Sequence, residues 1–247
     1  MYPGHAPPVV TYGILGIALA LAVLFVAAER RAAIVLGAPD VARRTALAAL
    51  GMAAWLGASS LAAISGVLAR FDARPPPLLL LMVAVMAGAV LFARSRAATP
   101  LVEGLPLWAL VAFQSFRLPL ELVMHEAAAS RVMPAQMSYS GLNFDIVTGI
   151  TACLLAPWIA TGRAPRAVVL AWNVMGSALL AVIVVVAVVS TPMVHAFGPD
   201  ALNDWVAYFP FVLLPAVMVA FALVGHVLLF RALARDVAFL GFRPAER

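Results

Sequence analysis

The chain has 247 residues, of which 65% are hydrophobic and 11% charged, with a formal net charge of +5 and a mean hydropathy of +1.05. A water-soluble domain carries about a quarter charged residues, so this composition excludes a soluble globular protein. The length suits one transmembrane domain over 1–247 and leaves no room for a separate soluble one.

The basic residues are all arginine. They sit in short segments between apolar runs, so the positive balance reads as membrane orientation and nucleic acid is not expected as a partner. The lack of lysine also excludes a retinal Schiff base, which needs a lysine amine. Arginine-only basicity with heavy use of alanine suggests a GC-rich bacterial genome, and hence a bacterial inner (plasma) membrane.

The first residues, Met-Tyr-Pro-Gly-His-Ala-Pro-Pro, carry no positive charge and lead into an apolar run of about 20 residues. A signal peptide has a basic start and a shorter core, so the run is expected to be a retained first helix. Apolar runs at 9–28, 45–69, 77–93, 105–125, 145–161, 167–190 and 207–230 then predict an all-α, seven-helix transmembrane bundle. The run 145–161 contains the single cysteine, Cys153, which reads as a small buried hydrophobe.

Orientation follows from the arginines. With the N-terminus outside and the C-terminus cytoplasmic, the inner segments hold Arg30, Arg31, Arg43, Arg44, Arg94, Arg96, Arg163, Arg166, Arg231, Arg235, Arg243 and Arg247. The outer segments hold Arg70, Arg74 and Arg131. The bias is twelve to three. Tyr12, Trp108, Trp158, Trp205 and Tyr208 fall near predicted helix ends, where amphipathic rings prefer the interface. No internal repeat is visible, so an inverted-repeat transporter fold gains no support.

The fourth run is the exception among apolar helices. Gln114, Arg117, Glu121 and His125 are spaced by three, four and four residues, which places them within about 80° on one helix face. At 1.5 Å per residue from Leu105, Arg117 is about 18 Å deep and Glu121 about 24 Å. Charges at such depth cost at least ~2.5 kcal/mol each by insertion scales and must find partners. Pro119 removes one backbone hydrogen bond and kinks the helix between them. Stripe and kink together predict either an outward-opening polar cavity or an internal Arg117–Glu121 salt bridge.

The long outer segment that follows carries Tyr139, Ser140, Asn143 and Asp145. Asn143 and Asp145 are placed either as caps of the fifth helix or across the cavity from the stripe, with Thr148 and Thr151 continuing down one side. His195, Asp200 and Asp204 in the other long outer loop are placed where they could close over the same mouth. The stretch Gln-Ser-Phe-Arg-Leu-Pro-Leu-Glu-Leu-Val-Met-His, through Met-Ser-Tyr-Ser-Gly-Leu-Asn-Phe-Asp-Ile-Val-Thr-Gly, resembles segments of a bacterial multi-pass membrane protein family. The resemblance covers Gln114 to Gly149 and implies no activity.

Several chemistries are set aside. Glu121 and His125 have the spacing of two metal ligands on a helix but lack the third and fourth of a zinc site, so no metal is expected. Haem between His125 and His226 fails on depth, since His226 is placed about twenty residues into the seventh helix, near the cytoplasmic side, as a hydrogen-bonded helix-packing residue. No phosphate-cradling glycine loop is present. The expected function is binding or transport of a small molecule, ion or lipid headgroup at Gln114, Arg117, Glu121, His125, Asn143, Asp145 and His195. In that picture Arg117 holds an anionic group. Two alternatives are kept: a membrane enzyme acting on a lipid-linked or periplasmic substrate with Glu121 and His125 as acid and base, and a structural or assembly subunit of a membrane complex. The sequence specifies neither a cofactor nor an oligomeric state.

Overall fold

The computed structural model describes residues 6–235; Arg243 and Arg247, counted above, lie outside the described residues. The described chain is all helical, without a strand. Helix α1 covers Pro8–Val35, α2 Val41–Ile64, α3 Pro77–Arg94 and the short α4 Thr99–Gly104. They are followed by α5 Leu107–Ala112, α6 Arg117–Ala129, α7 Ile146–Ala160, α8 Arg166–Val189 and α9 Ala220–Ala234. A 3₁₀ turn at Phe113–Phe116 joins α5 to α6, and a π turn at Leu214–Val219 leads into α9. Six stretches are long and apolar enough to cross a bilayer, namely α1, α2, α3, Leu107–Ala129, α8 and Leu214–Ala234. The chain is therefore an integral, multi-pass membrane protein; α7 is apolar but shorter.

Several expected boundaries move, each for a local reason. Helix α1 runs beyond residue 28 to Val35, because nothing in Glu-Arg-Arg-Ala-Ala breaks a helix at the water boundary. Helix α2 begins early, at Val41, where the Asp40 side chain accepts the Arg43 N–H at 3.0 Å. It ends at Ile64, short of residue 69, because Gly66 turns the backbone left-handed at φ 75°. The largest change is at the last helix. Residues 205–212 form a 3₁₀ turn and bends, so the helix starts near Leu214 and not at 207. Pro215 has no N–H to give to the ladder, and the Trp55 indole donates to the Ala216 carbonyl at 2.9 Å, bracing the π turn from α2.

The last helix is the axis of the bundle. Two-thirds of its span is buried, against 11% of α2, and α1, α3, α4, α5 and α8 pack around it. Helix α2 lies outside, mainly against α1, with Leu47, Leu50 and Leu61 exposed to the apolar surroundings. Helix α7 packs on α5, α6 and α8. In lipid, such packing rests on close van der Waals fit and interhelical hydrogen bonds, since apolar surface gains nothing by leaving the bilayer.

The two ends differ in chemistry. At one end, Arg231 of α9 donates to the carbonyls of Ala93 (2.5 Å) and Ser95 (3.2 Å) and to the Thr99 hydroxyl (2.8 Å), closing the C-terminus of α3. Arg235 pairs with Glu103 at 2.5 Å, and Arg166 donates to the Leu233 carbonyl. This is the arginine end. The opposite, loop end carries the segments 130–145 and 190–206. The Gln136 amide ties them together, donating to Ser190 Oγ at 3.0 Å and to the Ala201 carbonyl at 2.8 Å.

Candidate functional site

The site starts from Pro119. Its missing N–H leaves the Ser115 carbonyl without its ordinary α-helical donor, and the backbone tightens into the 3₁₀ turn at 113–116 just before α6. Arg117 opens α6 facing the bundle interior and is 1% exposed. Helix α7 is pressed against this turn: a Cβ on Gly149 would lie 2.5 Å from the Leu118 nitrogen. Only glycine lets the two backbones come so close.

That approach sets the pairing of Arg117. Its Nη1 donates to Asp145 Oδ1 at 2.6 Å, and Nη2 lies 3.1 Å from His226 Nε2. The ion pair therefore crosses from α6 to the start of α7, and the expected Arg117–Glu121 pair along one helix is replaced by it. Arg before Glu is in any case the poorer order for such a pair. Asp145 also accepts from the Thr148 hydroxyl at 3.1 Å. Its side chain makes no cap bond at α7, so the capping role expected of it is not taken up.

The network continues into α8. His226 Nδ1 lies 2.7 Å from Asn173 Oδ1, and Asn173 Nδ2 donates to the His226 carbonyl at 3.1 Å. Because the guanidinium can only donate, Nε2 must accept, so the ring is neutral with its proton on Nδ1, given to Asn173. Gly176 makes room for this ring: a Cβ there would lie 2.7 Å from His226 Cε1 and 2.9 Å from Thr148 Cγ2.

Glu121 lies one turn nearer the loop end and is 2% exposed. Asn143 Nδ2 is 2.8 Å from both of its carboxyl oxygens and 3.1 Å from the Met137 carbonyl. Asn143 Oδ1 accepts the Asp145 N–H at 3.1 Å, so Asn143 bridges the surroundings of the two carboxyl groups.

A cavity of about 60 Å³ adjoins this cluster, bordered by Arg117, Glu121, Asn143 and Asp145 together with Asn203 and otherwise apolar side chains. One water needs roughly 10–15 Å³ by this kind of measure, so the space holds a few waters or one small ion. A drug-sized ligand needs roughly 300 Å³ or more. Asn203 is 1% exposed; its Nδ2 donates to the Ala187 carbonyl at 3.0 Å, and its Oδ1 has no partner. Arg117 Nε is likewise unpartnered. Two residues that border the cavity thus each hold one buried polar atom without a partner.

Other expected site residues lie elsewhere. Gln114 is buried further toward the arginine end, donating to the Ala222 carbonyl at 3.2 Å, and does not border the cavity. His125 is half-buried, 3.2 Å from Ser138 Oγ and stacked on Tyr139 at 4.4 Å, also away from the cavity. His195 is exposed on its loop with φ 41° and does not border the cavity. Thr151 turns to Trp172, whose indole donates to it at 2.8 Å.

Two members of the network, His226 and Asn173, are absent from the expected set. The apolar run 207–230 puts His226 near the cytoplasmic side, whereas the helix starts near Leu214, from which His226 is about 18 Å in, mid-span. Asn173 carries a signal that could have been used: it is the one carboxamide in the apolar run 167–190, and a lone polar residue in such a run must find a partner. Among the described residues no group of three or more His, Cys, Asp or Glu is placed to hold a metal ion. No family model, curated protein or solved structure matches the chain.

Proposed function

We propose that the protein is a seven-span protein of a bacterial inner membrane, N-terminus outside, that binds and carries a proton or small cation at Glu121. The arginine bias supports this orientation, which puts the arginine end in the cytoplasm and the cavity in the outer half. Helix α7 supplies the seventh crossing; its 15 residues are about 22 Å long, and the segment 137–145, in which Met137, Ser138, Asn143 and Asp145 are buried, precedes it toward the loop end.

The observation that carries the reading is the uneven charge of the cluster. Asp145 neutralises Arg117 at 2.6 Å. Glu121 remains with only a side-chain amide as donor, beside a cavity of ion size. An isolated buried carboxylate is too costly to persist unpaired, so Glu121 holds either a proton or a cation. An anionic ligand fits less well, because both terminal nitrogens of Arg117 are already engaged.

Glu121 and His125 as an acid–base pair gain no support, since His125 faces Ser138 and Tyr139 and not the cavity. The test is infrared difference spectroscopy of the protein in lipid nanodiscs. A protonated-carboxyl band is expected that titrates, shifts with added cation, and is missing in Glu121→Gln while the folded yield is kept. A wild-type spectrum in which the Glu121 carboxyl signal responds neither to pH nor to added cation would refute the proposal.

A further inference from the structure

Resting on that reading, we infer that the cation is soft and monovalent, Cu(I) in chemical class, held by methionine thioethers beside Glu121. Five of the ten methionines, Met82, Met86, Met124, Met137 and Met218, border the 60 Å³ cavity. They come from four separate places: α3, α6, the loop before α7, and the π turn. Met82 and Met86 are one turn apart on α3, and Met124 is one turn from Glu121 on α6.

Methionine is also a flexible gap-filler, which is the plain alternative. Two comparisons within the molecule count against it. The apolar groove of about 340 Å³ beside Phe25 and Trp55 is bordered by one methionine, Met52, and the groove of about 380 Å³ beside Leu101 and Trp108 by none. Methionine is thus gathered at the smallest of the three spaces, the one with carboxyl groups. That space is also too small for an apolar ligand; a dry cavity that takes benzene is roughly 150 Å³.

Charge and ligand type then agree. With Arg117 and Asp145 cancelling, an ionised Glu121 leaves one negative charge, which one monovalent cation balances. Thioethers select Cu(I) among biological metals, whereas alkali and alkaline-earth ions prefer an all-oxygen shell. Asn203, which borders the same cavity, has its Oδ1 buried without a partner, so a side-chain reorientation would add an oxygen. Such a site needs no cluster of His, Cys or carboxylate side chains, because its soft donors are thioethers.

The experiment is anaerobic titration of the purified full chain in detergent with Cu(I), buffered by a chromogenic chelator, followed by X-ray absorption of the loaded protein. One Cu(I) per chain with sulfur scatterers is expected. Met124→Leu/Met218→Leu together should weaken it roughly tenfold or more, Glu121→Gln should also weaken it, and Met52→Leu should leave it unchanged. Leucine conserves volume at these positions, and the folded fraction is read by gel filtration. Binding that shows only nitrogen and oxygen scatterers, or that Met52→Leu weakens equally, overturns the inference. Failure of Cu(I) to bind while the Glu121 infrared band still responds to protons or Na⁺ overturns the inference alone. Absence of both signals removes the ion-binding reading as well.

Discussion

Asp145→Asn is the sharpest test of which carboxyl group serves Arg117. Asparagine keeps the shape and an acceptor for Thr148, but removes the charge that sits 2.6 Å from a guanidinium that is 1% exposed. Breaking a buried pair by removing one partner costs about 3–5 kcal/mol. Glu121→Gln, by contrast, disturbs only the contact with Asn143 Nδ2 at 2.8 Å, worth about 0.5–1.5 kcal/mol. In Asp145→Asn, Glu121 becomes the nearest remaining carboxylate able to compensate Arg117, so the double variant should lose more than the sum of the two. Equilibrium unfolding in mixed micelles of the wild type, both single variants and the double variant closes the cycle. A Glu121→Gln loss as large as that of Asp145→Asn, or strict additivity, would refute the assignment of Asp145 as the counter-ion.

Gly176→Ala should destabilise by about 1–3 kcal/mol, because its Cβ would lie 2.7 Å from His226 Cε1; Gly16→Ala, with nothing within 4 Å, should be near neutral in the same unfolding assay. Trp55→Phe removes the donor to the Ala216 carbonyl and should cost about 0.5–1.5 kcal/mol, with faster amide exchange across 214–219 as the local readout. For orientation, a chain made cysteine-free by Cys153→Ala and carrying Ala196→Cys should react with a membrane-impermeant maleimide added to intact cells. The same chain with Arg163→Cys should react only after permeabilisation, and the reverse pattern would invert the topology.

The membrane class and the approximate place of the six long apolar spans were legible because hydropathy and charge are additive along a chain. The stripe was legible too: Arg117 and Glu121 at helical spacing, with Pro119 between them, announce a polar interior wherever their neighbours lie. Partner choice is of another kind. Whether Arg117 meets Glu121, Asp145 or His226 depends on the depth and rotation of three helices at once, and no local pattern carries those quantities.

Two short irregular turns account for most of the difference. A π turn holds an extra residue and so rotates all that follows by roughly 100° about the axis, which changes the face on which His226 emerges. The late start at Leu214 moves the same residue from the cytoplasmic edge to the middle of the span. The glycines that admit close approach, Gly149 and Gly176, are lost among many small residues until their neighbours are known. Composition and periodicity alone determined a multi-pass bundle with charge buried in one helix. Only the tertiary structure decided that Asp145 takes up Arg117, that Glu121 is left beside a small methionine-walled space, and that His226 and Asn173 belong to the network. The reason is that burying charge demands compensation without specifying where in the sequence it comes from.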